Sequence, residues 1–156
     1  MARAIVSLGS NIEPRRGYLE KAIAALSELP GTRLSLLSSV QETDPVGVPD
    51  EFVDQKFLNQ IAVFETTLEV HRFARSMHVI EDLLGRVRTV RNGPRTIDID
   101  LIDFDGLELS EPELTLPHPR AHERAFVLEP LRELGLGEVV RRETRDKNRE
   151  GVRRET

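Results

Sequence analysis

Residues 93–104 read Gly93-Pro94-Arg95-Thr96-Ile97-Asp98-Ile99-Asp100-Leu101-Ile102-Asp103-Phe104. The Gly-Pro pair punctuates the chain, and Ile97 to Phe104 after it has the composition of a β-strand. Alternate strand residues share a face, so Ile97, Ile99 and Leu101 turn inward while Asp98 and Asp100 turn the other way. Asp103 falls by parity with Ile99 and Leu101, and is expected near the strand end, partly exposed. Aspartate is poor in strands, so two of them alternating with isoleucine call for a compensating partner. Residues two apart in a strand are separated by about 7 Å, close enough for two carboxylates to share one or two hard cations such as Mg²⁺.

Outward from this strand, the chain alternates strands and helices. Ala2 to Leu8 reads as a first strand closed by a Gly9-Ser10-Asn11 turn. Leu19, Ala22, Ile23, Leu26 and Leu29 recur at helical spacing, with Pro30-Gly31 as the stop. Arg33 to Val40 alternates, with Leu34, Leu36, Ser38 and Val40 on one face. Phe57 to Phe64 is a further strand. A second helix follows, with Thr66 and Glu69 as a capping box and Val70, Phe73, Met77, Ile80 and Leu84 as its buried stripe. Short strands near Leu107 and Leu114 form a hairpin. A last helix carries Val127, Leu128, Leu131 and Leu134, and Pro130 within it requires a place in the first turn. The order predicts an α+β fold, a ferredoxin-like β-α-β-β-α-β sandwich with a mostly antiparallel sheet, helices packed on it, and a C-terminal hairpin and helix. Fold order alone says nothing about activity.

Two connections are long for a compact domain, 42–56 and 85–96, and such segments are commonly binding loops. The second holds Arg86, Arg88, Arg91 and Arg95. Four guanidinium groups this close repel one another unless an anion joins them. An acidic pair beside a basic loop suits magnesium and a polyphosphate held together, with the metal on one side and Arg forks on the other. The chain has neither G-x-x-x-x-G-K-[ST] nor G-x-G-x-x-G, so these side chains must do the phosphate handling. His118, between Pro117 and Pro119, cannot pair with His122 as a helical metal site, and Asp98 and Asp100 are better ligands for a hard cation. His71 and His78 fall off the apolar stripe and read as solvated.

Composition bounds the rest. The 156 residues are 38% hydrophobic and 31% charged, which suits one globular domain. No apolar run approaches the roughly 20 residues of a membrane helix. Cysteine is absent, which removes disulfides and thiolate chemistry and makes a cytoplasmic address the expectation. The net charge of −5 argues against a general nucleic-acid footprint. Residues 137–156 carry seven basic and five acidic side chains with only three valines, so 1–136 is expected as the working domain and 137–156 as a poorly ordered tail.

Together these stretches resemble the 6-hydroxymethyl-7,8-dihydropterin pyrophosphokinase family of folate biosynthesis. The resemblance rests on Leu8-Gly9-Ser10-Asn11, Thr43-Asp44-Pro45-Val46-Gly47, Phe57-Leu58-Asn59, Glu81 through Arg88, Gly93 to Asp100, and Pro117-His118-Pro119-Arg120 through Phe126. It implies transfer of the β,γ-diphosphate of ATP to the pterin hydroxymethyl group, with AMP leaving, by a monomer using two Mg²⁺ ions. It implies that Asp98 and Asp100 bind the metals and that Arg86 and Arg95 hold the transferring phosphates, with Arg88 nearby. His118 and Arg124 resemble ATP-phosphate contacts, and Glu81 lines the nucleotide site. For the pterin it implies Asn59 reading the hydrogen-bonding edge, Thr43, Pro45 and Val46 along the ring, and Phe126 stacking with Phe57 beside it. The sequence departs from the family at Asn92, often tryptophan, at Asp103, usually aliphatic, and beyond Leu136. The alternative reading is a non-catalytic nucleotide- or RNA-binding domain on the same fold.

Overall fold

The structure is a computed structural model that describes residues 1–44, 56–85 and 96–139, apart from the His122 side chain. Among the described residues the elements in chain order are β1 (Ala2–Ser10), α1 (Arg15–Ser27), β2 (Thr32–Leu37), β3 (Gln41–Thr43), β4 (Phe57–Thr66), α2 (Val70–Leu83), β5 (Asp98–Phe104), β6 (Leu109–Ser110), β7 (Thr115–Leu116) and α3 (Ala125–Glu133), with a 3-10 turn (Ala121–Glu123) before α3. Among the described residues, β1 to β5 form one sheet in the order β2-β4-β1-β5, every neighbour antiparallel, and β3 pairs with β4 beyond β2. β6 and β7 form a separate hairpin.

The sheet buries both faces unequally. Ala4, Val6, Leu8, Leu58, Ala62, Phe64, Ile99 and Leu101 meet Leu19, Ala22 and Leu26 of α1 and Val70, Phe73 and Met77 of α2. Phe73 lies between Phe64 and Phe104, with ring centroids 6.4 and 5.9 Å away and both pairs tilted, a favourable arrangement for aromatic quadrupoles. On the opposite face Ile5, Ile61, Val63 and Ile102 pack with Val127 and Leu131 of α3 and with Val139. That second face is therefore covered by α3 over part of its length.

Arg33 to Val40 is not one strand. The pairing shifts between Leu34 and Leu36, so Leu34 sits opposite Phe64 and Leu36 opposite Val63, on different faces. Leu34, Leu36 and Leu37 are exposed on this edge strand. Ser38 then stops it by turning inward, where its hydroxyl accepts the Ile61 N–H at 2.9 Å and its carbonyl accepts Gln60 Nε2 at 2.7 Å. Thr66 ends β4 rather than capping α2, its hydroxyl bonded to Thr32 at 2.7 Å. Glu69 is itself the cap, accepting the His71 and Arg72 N–H groups. Pro130 lies beyond the first turn, at the sixth position of α3, where it removes one intrahelical bond. The hairpin strands begin at Leu109 and Thr115, later than Leu107 and Leu114.

Asp103 is buried outright, at 0% exposure, and not partly exposed. Val6 pairs with Leu101 but Ile5 pairs with Asp103, so Ile102 is an extra residue in β5. Such a bulge reverses the parity beyond it. Asp103 thereby turns away from the face of Ile99 and Leu101, and its Oδ2 accepts the Gly106 N–H at 3.2 Å.

Candidate active site

The central strand β1 brings the candidate residues together. Opposed residues in antiparallel strands share a face. Asp98 of β5 pairs with Gly9 of β1, Gly9 pairs with Asn59 of β4, and Asn59 pairs with Gln41 of β3. One rung further, Asp100 pairs with Ser7 and Ser7 with Ile61. The two aspartates and Asn59 therefore occupy neighbouring rungs on the face away from α1 and α2. Asp98 and Asp100 are partly exposed there, whereas Asn59 is buried.

Gly9 is the floor between them. A Cβ placed on it lies 3.1 Å from Asn59 Oδ1 and 3.6 Å from Phe57 Cδ1. Gly9 does not belong to a turn after the strand. It stands inside the strand, and glycine within a strand marks close approach of other groups. Asn59 donates Nδ2 to Thr43 Oγ1 at 2.5 Å, which aims its Oδ1 back over Gly9.

The segment before α3 closes the other side. His118 donates its backbone N–H to the Ile102 carbonyl at 2.8 Å, tying this segment to β5. Burial pushes the His118 imidazole down to about 4, with Arg124 and Arg120 acting in the same direction and Asp98 opposing them. The ring is therefore neutral at pH 7. Its Nδ1 accepts the Arg120 N–H at 3.2 Å, which leaves the proton on Nε2 as a donor. Arg124 holds its guanidinium 3.5 Å from Asp100 Oδ2 and 5.7 Å from the Phe126 ring centroid. Phe126 is partly buried and packs on the α3 cluster.

Glu81 reaches the strand from behind. It is 1% exposed on α2, and its Oε2 accepts the Ile99 N–H at 3.0 Å. Its Oε1 lies 3.1 Å from Nδ1 of His78. His78 is thus an engaged surface group, not simply a solvated one. His71 likewise bridges Glu69 at 2.5 Å and Glu111 at 2.8 Å, which raises its affinity for a proton. Pro45, Val46, Arg86, Arg88 and Arg95 lie outside the described residues.

No group of three or more His, Asp or Glu side chains suited to a metal occurs among the described residues. The donor set at β5 is two carboxylates on adjacent same-face rungs. That set fits Mg²⁺, which keeps several waters and takes one or two carboxylates together with substrate phosphates. It does not suit a softer metal seeking nitrogen or sulfur.

On one antiparallel sheet the structure thus places two aspartates on neighbouring same-face rungs of β5 beside a buried asparagine on β4, with Gly9 of β1 between them. The family model described as 7,8-dihydro-6-hydroxymethylpterin-pyrophosphokinase matches residues 5–135, and the chain belongs to that family. It is similar to the 2-amino-4-hydroxy-6-hydroxymethyldihydropteridine pyrophosphokinase of Bacillus subtilis, 39% identical over 150 residues, covering 96% of this chain and 88% of the relative. The Pseudomonas aeruginosa protein of the same name is 39% identical over 132 residues, covering 85% and 80%. Among solved structures, an HPPK-DHPS in complex with substrates aligns with a TM-score of 0.63 at 13% identity, over 85% of this chain and 40% of that one. The chain therefore spans less than half of that solved protein, and the likeness concerns the fold.

Proposed function

We propose that this protein transfers the β,γ-diphosphate of ATP, as one unit, to the hydroxymethyl group of 6-hydroxymethyl-7,8-dihydropterin, releasing AMP in folate biosynthesis. The observation that carries this reading is the shared rung of Asp98, Gly9 and Asn59. It sets a candidate metal ligand and a candidate heterocycle reader on either side of a strand residue with no side chain.

In this reading Asn59 meets the pterin's hydrogen-bonding edge, while Thr43, Pro45 and Val46 line the ring and Phe57 and Phe126 supply apolar walls. A flat polar heterocycle needs such a slot with a few fixed polar groups. Asp98 and Asp100 would hold two Mg²⁺ ions, which when bound neutralise phosphate oxygens and orient the chain of phosphates. Arg86 and Arg95, with Arg88 nearby, hold the transferring phosphates. His118 donates Nε2–H, and Arg124 offers its guanidinium, to the nucleotide's phosphates. Arg124 also steadies Asp100, and Glu81 holds the strand between the two aspartates from behind. The hydroxyl oxygen bonds to the β-phosphorus as the bond from that phosphorus to the α,β-bridging oxygen breaks, with net loss of the hydroxyl proton. Positioning and charge neutralisation supply most of the acceleration in such a displacement.

We further read the fold as a ferredoxin-like sandwich, which the β2-β4-β1-β5 order and the two helices on one face support. Residues 1–136 are the pyrophosphokinase unit in this reading, acting as a cytoplasmic monomer with no nucleic-acid partner. No helix of the described residues is long and apolar enough to cross a membrane. Incubation of the full chain with ATP, Mg²⁺ and hydroxymethyldihydropterin tests the activity. AMP as the nucleotide product supports it, and ADP, or salt-dependent RNA binding without turnover, contradicts it.

A further inference from the structure

We infer that Arg15 is a positioning residue for the pterin edge of the site, an inference that rests on the function proposed above. Arg15 opens α1 and belongs to none of the motifs that pointed to the site. Its Nε donates to Glu13 Oε1 at 2.6 Å. One terminal nitrogen donates to Glu42 Oε2 at 2.9 Å and to the Lys56 carbonyl at 3.1 Å. The bonds to Glu42 and Glu13 hold the guanidinium proton more tightly than usual, and Glu13 is made more acidic by the Arg15 backbone N–H first and by the guanidinium second.

The two distant anchors matter because of where they stand. Glu42 is the middle residue of β3, and Lys56 immediately precedes β4. β3 is three residues long and joins the sheet only through the rungs Gln41–Asn59, Glu42–Leu58 and Thr43–Phe57. Few ladder bonds hold so short a strand, so an external tie contributes a large share of its placement. Arg15 ties β3 and the entrance of β4 to the start of α1 at one point. The next residue of β3 is Thr43, whose hydroxyl receives Asn59 Nδ2 at 2.5 Å. Through that bond Thr43 holds the Asn59 side chain, whose Oδ1 stands over Gly9. The sequence of contacts therefore runs from Arg15 through Glu42 and Thr43 to the Asn59 amide, without Arg15 touching a substrate.

Exposed ion pairs contribute little on average. Arg15 differs in having a side chain only 21% exposed and three acceptors on one planar fork. A lysine presents a point charge and cannot span the same three acceptors.

The test uses the full-length wild type, Arg15→Ala, Arg15→Lys and Glu42→Gln, comparing steady-state constants for pterin and for MgATP, thermal midpoints, and the side-chain amide NMR signals of Asn59. Arg15→Ala is expected to raise the pterin KM about tenfold, the scale of one lost charge-assisted network. The MgATP KM and the thermal midpoint stay near wild type, the Asn59 amide signals move, and Arg15→Lys and Glu42→Gln fall between. An unchanged pterin KM with unmoved Asn59 signals overturns the inference. A parallel rise of both KM values with a lowered midpoint also overturns it, by showing a general structural role. If the wild type itself makes no AMP, the proposed function fails first and this inference falls with it. An active wild type with an indifferent Arg15→Ala rejects the inference alone.

Discussion

Glu81 accepts the backbone N–H of Ile99, the residue that separates Asp98 from Asp100, at 3.0 Å. Among the described residues β5 lies at the edge of its sheet, and this contact gives the Ile99 N–H a partner from α2. A carboxylate on α2 thereby secures the segment whose two aspartates face the site. Glu81→Ala leaves that buried donor unpaired, at a cost of about 1–3 kcal/mol in stability. Urea unfolding of the variant against wild type measures it, and an unchanged midpoint would show that the contact does not hold the strand.

His118 makes stability depend on pH. Its folded-state value of about 4 lies below its ordinary value near 6.5. The unfolded chain therefore binds more protons between those values, and stability rises with pH across roughly 4 to 6.5. The contribution is complete above that window and lost as pH falls through it. Allowing for solvent screening of a partly exposed ring, about 1–2 kcal/mol is at stake. His118→Gln should flatten this part of the stability–pH curve, and an NMR titration of the wild-type ring near 6.5 would refute the assignment.

Gly9→Ala should separate binding from folding. The added methyl sits 3.1 Å from Asn59 Oδ1, closer than ordinary contact, and 3.6 Å from Phe57. Either Asn59 or the strand must give by a few tenths of an ångström. A several-fold rise in pterin KM with kcat within about twofold is expected if the methyl perturbs only ground-state positioning. Unchanged pterin binding would place the slot elsewhere.

The alternation of helices and longer strands was legible because hydrophobic period separates them without knowledge of their neighbours, whereas β3, three polar residues at the start of a segment read as a long connection, was not. The stripe Val70, Phe73, Met77 and Ile80 is buried as its spacing implies. Asp98 and Asp100 were legible for the same reason, since strand parity alone assigns their common face. Parity failed at Asp103, because a bulge at Ile102 is decided by pairing with β1 and leaves no mark in the local pattern. It failed again at Leu34 and Leu36, where the shift against β4 swaps faces. Gly9 was misplaced in a turn because a glycine reads as punctuation until the strands on both sides of it are known. Arg15 could not be found from sequence at all: its partners Glu42 and Lys56 are 27 and 41 residues away.

The most direct measurement is nucleotide product from ATP, Mg²⁺ and hydroxymethyldihydropterin with wild type, Asp98→Asn and Asp100→Asn. Wild type should release AMP, and each variant should fold normally yet lose at least about a hundredfold in rate, as expected when an electrostatic group is removed from a phosphoryl-transfer site. Turnover at the wild-type rate in both variants, or ADP as the product of the wild type, would contradict the role of the acidic pair on β5.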